Sequence, residues 1–566
     1  VKSMDNQPKE GSRNSLRVWE YFALAGGFIL FWALLTKYAL GGPISSDITW
    51  YYHVGADNLK ETFVLNRYFH IFLQKFFVGT QSEPMPGLQF YWSFLFASTT
   101  VILYLSARLL SPTSSPWNGI LALVLFFSLP AVREVSGVPY VDVTAMMMLS
   151  ALLLVYVLSA NVNHQNKFLL ILFGCLLFLG FKTKETVLPG AILVLGFCIQ
   201  DRQIAWRLGG KRILWILVGI LFGLALLILL NSLILHDAFF GLRPEDVTSY
   251  LGSYYKGTSL APDPGTTQNW IDGFFLPFAF LPLLLYVMSG IKVSQKLDFD
   301  RQVIWLLPLV FILLLIVSIN NKWDYQTRFA LPVLPILCVL GAQVIKIPNS
   351  LSRQEKLCLI FCGIVFVGLS VVLLRIPRAV FYLIISPLTF LALLYVISVV
   401  KNDRHNALLL LSLLILISLV PIHENAYEMV REQPNRQTFL KTVLPFTSFA
   451  DQLRFTPDTQ LLFDARINST IPLKILKTED EIFTTYNIAL NANTNRKNFK
   501  LADTLDEITK GIVSGEYTYF LLAVETWFQL EKDPLLTAPL ASNYAHLASP
   551  DNNYILLISN AAIGRH

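Results

Sequence analysis

The chain has 566 residues, of which 54% are hydrophobic and only 14% charged, with a formal net charge of +6. A soluble domain carries roughly 25% charged residues, so most of this chain lacks the polar surface to face water and takes the bilayer as its solvent. The charge is small for the length and forms no basic stripe, which excludes nucleic acid as a partner.

A basic tail (Lys2, Lys9, Arg13, Arg17) precedes a first apolar run at 21–40. No small-residue cleavage site stands before Gly41-Gly42-Pro43, so the run reads as a retained helix behind a cytoplasmic tail at 1–20. Further apolar stretches fall near 87–110, 117–131, 138–159, 168–181, 186–200, 212–236, 271–291, 303–319, 327–347, 357–374, 379–400 and 406–422. Together they predict roughly 13 transmembrane helices within a membrane domain at 21–422. With the N-terminus inside, Arg202, Arg207, Lys211, Arg212, Lys292, Lys296, Arg301, Lys346, Arg353, Lys356, Lys401 and Arg404 collect on the cytoplasmic side, as the positive-inside rule asks. An odd helix count leaves the C-terminus outside.

Two outer loops, 41–86 and 237–270, are longer than a connection requires. From Trp50 to Phe77 apolar residues recur at helical spacing (Tyr51, Val54, Leu59, Phe63, Tyr68, Phe72, Phe76), which predicts helices lying along the interface over a lipid-accessible cavity. From His423 onward the composition becomes that of a soluble domain. Runs such as Gln460-Leu-Leu-Phe-Asp464, Tyr517-Thr-Tyr-Phe-Leu-Leu522 and Tyr554-Ile-Leu-Leu-Ile558 alternate with helical stretches, predicting a small α/β domain at 423–566. All five cysteines (Cys175, Cys198, Cys338, Cys358, Cys362) lie in apolar runs, which argues against a disulfide framework or thiolate cluster.

Asp47 stands just beyond the first helix, followed by aromatics. A carboxylate there can take a proton from an acceptor hydroxyl or amine, or it is the N-cap of the next helix. Asp142, in Val138-Pro139-Tyr140-Val141-Asp142 with Arg133 and Glu134 upstream, marks the outer mouth of the fourth helix as a functional candidate, with a solvated helix cap as the alternative. Gly180-Phe181-Lys182-Thr183-Lys184-Glu185-Thr186 interrupts two apolar runs. A lysine held there suits a phosphate group, unless Lys184 simply pairs with Glu185 in a charged turn. Arg67, Lys75, Arg328, Arg375 and Arg378 lie outside against the positive-inside trend, and anionic lipid headgroups or a lipid phosphate supply a reason.

Weaker signals are His53 between Asp47 and Asp57, a metal hint without a full ligand set, and the sequon Asn468-Ser469-Thr470. Lys322-Trp323-Asp324-Tyr325 resembles part of an oligosaccharyltransferase motif by coincidence, in a short loop between membrane helices.

In this order and on one membrane face, these residues resemble the C-type (GT-C) superfamily of membrane glycosyltransferases. Within it they are similar to glycosyltransferase family 39, which includes protein O-mannosyltransferases and aminoarabinose lipid A transferases. The match is carried by Asp47, Asn66-Arg67-Tyr68, Pro139-Tyr-Val-Asp142, Lys184-Glu185 and Thr327-Arg328-Phe329-Ala-Leu-Pro332-Val-Leu-Pro335. The sequence departs from the family at Ile48, where a second acid is usual, and at Phe329, where Tyr is usual. The resemblance implies a polytopic α-helical membrane protein of the GT-C fold with a C-terminal extracytoplasmic α/β domain. It implies inverting transfer of a sugar from a polyprenyl-phosphate donor to a lipid, glycan or protein acceptor. By the same resemblance Asp47 is the general base, Asp142 supports sugar or acceptor, and Arg67, Lys184 and Arg328 bind the leaving phosphate. No metal site is evident, so metal-independent chemistry is expected. A secondary transporter or lipid flippase, or a polymerase or ligase of lipid-linked glycans, are the alternatives. The absence of an internal repeat weighs against a carrier. Val1 is read as a bacterial start, from which a bacterial inner or plasma membrane is the expected location.

Overall fold

The computed structural model describes residues 18–38, 67–80, 84–111, 116–127, 129, 140–200, 203–204, 206–243, 286, 299–320, 327–344, 460–464, 499–502, 504–548 and 554–563. The chain divides into two compact units, one built from 1–40, 60–72 and 92–430 and the other from 41–59, 73–91 and 431–566. The helices in chain order are α1 (Val18–Tyr38), α2 (Tyr68–Val78), α3 (Pro84–Leu110), α4 (Pro116–Phe127), α5 (Val141–Asn161) and α6 (Lys167–Phe181). A 3-10 segment Glu185–Leu193 leads into one turn of α7 (Val194–Phe197) and a hairpin of β1 (Ile199–Gln200) and β2 (Gln203–Ile204). Then follow α8 (Trp206–Leu235), α9 (Phe299–Asn320), a second 3-10 segment Thr327–Val333 and α10 (Leu334–Gly341).

Among the described residues three helical stretches are long and apolar enough to cross a membrane: Phe90–Leu110, Val141–Asn161 and Arg207–Ile234. Their outward residues are apolar, as on α8, where Leu214, Leu221, Phe222, Leu229 and Leu233 are exposed. Such a surface suits hydrocarbon. The segments expected to span at 357–374, 379–400 and 406–422 lie outside the described residues.

The expected span at 186–200 is not one α-helix. Pro189 has no N–H to donate and its ring crowds the preceding turn, and the segment winds as a 3-10 helix around it. Gly190 and Gly196 let that segment press on its neighbours: a Cβ at Gly190 would stand 3.0 Å from Leu149 and Leu152, and one at Gly196 1.8 Å from the Tyr156 hydroxyl. Likewise the stretch beginning at Thr327 starts as a 3-10 segment containing Pro332 and becomes α10 with Pro335 in its first turn.

Contacts across the bundle are of two kinds. Small residues let backbones touch: α6 packs along α8 through Gly174 and Gly219, where each added Cβ would fall 2.0 Å from a carbonyl oxygen of the opposing helix. Buried ion pairs and hydrogen bonds join other helices. Arg108 near the end of α3 pairs with Glu20 in the first turn of α1 at 2.7 Å, with side chains 4% and 2% exposed. Arg212 donates to the carbonyls of Asn163 and Phe197 at 2.9 and 3.1 Å, closing the other end of α6 and α8. Unmet carbonyls in a membrane cost several kcal/mol each, about what an aqueous helix end avoids by hydration.

The second unit holds a five-stranded sheet in the order β4-β3-β5-β7-β6, with β3 at Leu461–Asp464, β4 at Phe499–Ala502, β5 at Tyr519–Ala523, β6 at Tyr544–Ala548 and β7 at Tyr554–Ser559. The first three are parallel and the last two antiparallel. Leu462, Phe520, Leu522 and Leu557 form its core with Ile508 and Ile512 of α11 (Leu505–Ser514) and Trp527 and Leu530 of α12 (Val524–Glu531). The chain ends on α13 (Thr537–Asn543) and α14 (Asn560–Ile563), the first preceding β6 and the second following β7. Thr504 caps α11 by accepting from the Glu507 N–H, and Gly515 ends it at φ +66°, a left-handed conformation that glycine adopts without a Cβ penalty. Buried Asp464 accepts from the Ala523 N–H at 3.1 Å and from the Thr526 hydroxyl.

Candidate functional site

Chain direction brings the polar residues of the first unit together. α5 runs away from its mouth at Val141, α6 returns to end at Phe181, and α8 returns again to end at Leu235. The start of α5, the link between α6 and the 3-10 segment, and the loop after α8 therefore share one end of the bundle. The start of α2 joins them through the side chains of Arg67, Tyr68 and His70.

Lys184 donates to the carboxylate of Asp142, both side chains nearly sealed from solvent at 6% and 0% exposure. Arg67 grips Glu185 with both terminal nitrogens, at 2.8 and 3.2 Å, the fork geometry that strengthens a carboxylate contact. His70, fully buried, meets the Thr144 hydroxyl through Nδ1 at 2.8 Å. Lys182 reaches the carbonyl of Gly241 at 3.4 Å. Gly241 takes φ +71°, and a Cβ there would stand 2.4 Å from the Tyr68 hydroxyl, so only glycine lets the loop come this close. Tyr68 also packs edge-on against Phe240.

Neighbours in sequence part company in space. Lys184 is extended, with φ −164° and ψ 141°, and in an extended backbone successive side chains point to opposite sides. Lys184 thus turns to α5 and Glu185 to α2, and the turn pairing of Lys184 with Glu185 entertained from sequence is not what forms. Asp142 is no solvated cap: it lies in the first turn of α5, wholly buried.

The charges act on each other strongly. Burial pushes the Lys184 amine down, with Arg67 adding to the push while Asp142 and Glu185 oppose it. Burial would raise the Glu185 carboxyl, but the charge and hydrogen bonds of Arg67, with Lys184 behind, hold it at about 2. Burial, then Arg67 and Lys184, lower the His70 ring to about 3, so it stays neutral.

Of the five residues singled out from sequence, Arg67, Asp142 and Lys184 gather here. Asp47 lies outside the described residues, as do His53, Asp57, Asn468 and the Lys322–Tyr325 stretch. Arg328 falls in the second 3-10 segment, with its side chain outside the described residues. Sequence reasoning passed over His70, Thr144 and Lys182. Lys182 was in plain view within the interrupted apolar run, and His70 follows Arg67 by one helical turn. On α2 the residues Tyr68, Ile71 and Phe72 are buried, but Phe76 is 66% exposed. Steps of four drift 40° each on a helix of 3.6 residues per turn, which carries Phe76 off the inward face. Among the described residues no group of three or more metal-ligating side chains forms.

No family model matches the chain, and no curated protein does. Solved structures do. The chain is similar to the crystal structure of ArnT from Cupriavidus metallidurans bound to undecaprenyl phosphate, at 12% identity and a TM-score of 0.55, over 96% of this chain and 98% of that one. It is similar to the apo form of the same protein at 13% identity and a TM-score of 0.53, with the same coverage. At this identity the likeness shows the fold alone, an α-helical fold shared with that protein over nearly the whole of both chains.

Proposed function

We propose that this chain transfers a sugar from a polyprenyl-phosphate donor to an acceptor at the extracytoplasmic face of the membrane, with inversion at the anomeric carbon. The observation that carries the reading is the convergence of Arg67, Asp142, Lys184 and Glu185 at one end of the helices, in a fold shared with a protein whose structure holds undecaprenyl phosphate. The acceptor's hydroxyl or amine attacks the anomeric carbon, the bond to phosphate oxygen breaks, and polyprenyl phosphate leaves as an anion. A lipid leaving group must be met within reach of the bilayer, and its charge needs cationic compensation.

In this reading Asp47 takes the acceptor's proton, Asp142 supports sugar or acceptor, and Arg67, Lys184 and Arg328 form the cationic wall. The alternation of charges in the cluster supports those roles: Arg67 and Lys184 are each held in place by a carboxylate before substrate arrives, which removes reorganisation from the transfer step. The sheet-bearing C-terminal residues belong on the same side of the membrane, and the chemistry proceeds without a metal ion.

The test is transfer of a radiolabelled sugar from polyprenyl-phosphate donors by the purified full chain and by Asp47→Asn. Activity that collapses by about 100-fold or more in the variant supports class and base together. Equal activity moves the base elsewhere, and no transfer from any donor sinks the reading.

A further inference from the structure

Two of the three cations assigned above to the leaving phosphate already have a carboxylate: Arg67 has Glu185 and Lys184 has Asp142. Lys182 has none among the described residues. The residue is buried, at 8% exposure, yet among the described residues its amine touches only the Gly241 carbonyl, at 3.4 Å, and stands 5.9 Å above the Phe181 ring. Arg243, in the same loop as Gly241, likewise has Asp237, so among the described residues at this end Lys182 is the cation left without a carboxylate. His70 does not alter that balance, because it is neutral.

A buried ammonium without a counter-ion is a costly arrangement that an arriving anion relieves. An ammonium has three donors, and the Gly241 carbonyl takes one, by a long bond. Two remain for an incoming oxyanion. The neighbours fit such a ligand: Gly241 brings the Tyr68 hydroxyl to the same spot, and the aromatic rings of Tyr68, Phe240 and Phe181 form an apolar border against which a lipid chain can lie. We propose that Lys182, beside Gly241 and Tyr68, is the principal cation that binds the phosphate of the polyprenyl donor, with Arg67 and Lys184, each held by its own carboxylate, standing in the wall around it. This deepens the transferase reading and rests on it. A point charge on a flexible stem is suited to follow a phosphate that changes from diester to monoester as the sugar departs.

The experiment measures binding of undecaprenyl phosphate, undecaprenol and inorganic phosphate to the purified full chain, its Lys182→Met and its Lys182→Arg, together with the ligand-free melting temperature of each. Wild type should bind undecaprenyl phosphate and not undecaprenol. Lys182→Met should weaken that binding by about 10- to 100-fold, the range for a charge-assisted contact, and Lys182→Arg should retain most of it. The ligand-free melting temperature of Lys182→Met should equal or exceed that of wild type, since an uncompensated buried charge is gone; a lysine that only clips the Gly241 loop would show the reverse. Unchanged binding by Lys182→Met overturns the assignment and leaves the transferase reading standing. Failure of wild type to bind undecaprenyl phosphate removes both. Lys182-dependent binding of inorganic phosphate as tight as that of the lipid overturns the lipid as its source.

Discussion

The Lys184 amine and the Asp142 carboxylate, 42 positions apart in sequence, form a buried pair in which neither partner has bulk water to fall back on. Removing one charge strands the other, at a cost of about 3–5 kcal/mol, whereas replacing both with neutral groups of similar size costs far less. Lys184→Met and Asp142→Asn should each lower the melting temperature clearly, and the double variant should recover most of the loss. Transferase activity should stay low in all three. Thermal unfolding in detergent over the four proteins of this cycle checks the prediction; additive losses would sink it.

The pair between Arg67 and Glu185 is of another kind, because Glu185 keeps 49% of its side-chain surface open. Its carboxyl is depressed to about 2 in the folded state from an ordinary 4.5. A depressed carboxyl contributes stability above its unfolded value and loses it as the pH falls toward the folded one. With solvent screening the contribution is within about 1 kcal/mol. The melting temperature of wild type should exceed that of Glu185→Gln slightly at neutral pH, and the gap should narrow below about pH 4.5. A gap that widens on acidification would contradict the pairing.

His70 gives acid sensitivity nearer to neutrality. The ring titrates at about 3 when folded against 6.5 when exposed, so between those values the unfolded chain binds the extra proton and stability falls with pH. At pH 5.5, one unit below the exposed value, the loss is on the order of 1 kcal/mol. His70→Asn keeps a polar group for the Thr144 hydroxyl without titrating. Its melting temperature should drop less than that of wild type between pH 7.5 and 5.5. His164, lowered to about 4 by burial and then Arg212, keeps its own share of the slope in both proteins.

Some single residues of this site were legible in the sequence, and their partners were not. Arg67, Asp142 and Lys184 announce themselves as charges at the edges of apolar runs, where burial is expensive. Which carboxylate each cation would choose depended on the extended backbone at Lys184 and on the antiparallel return of α5 and α6, and no local rule connects Arg67 with a glutamate 118 positions away. Lys182 was obscured for the same reason, since its significance lies in what it does not pair with. Three of the five strands of the second unit, β3, β5 and β7, were readable because apolar residues bounded by turns mark them, whereas the shorter apolar content of β4 and β6 left no such run. The apolar stretch at 186–200 misled, because hydrophobicity measures burial and says nothing of whether a proline and two close-packed glycines will allow an α-helix.

Gly174 and Gly219 offer a sharp test of how α6 and α8 are joined. An added Cβ at Gly174 would stand 2.0 Å from the Ile216 carbonyl oxygen, and one at Gly219 2.0 Å from that of Ile171. The obstacle in each case is backbone held in a helix, which cannot swing aside as a side chain does, so the helices themselves must separate. Overpacking of this sort costs about 1–3 kcal/mol for a methyl group, and more for valine. Gly210, also on α8, has nothing within 4 Å of such a Cβ, and alanine there should gain about 0.5–1 kcal/mol by helix propensity alone. Gly174→Ala and Gly219→Ala should therefore lower the melting temperature of the purified protein while Gly210→Ala leaves it equal or higher. Because the separated helices carry Lys182 at the end of α6 and Gly241 after α8, the two damaging substitutions should also weaken donor binding, and unaltered stability in both would mean that these helices do not touch at their glycines.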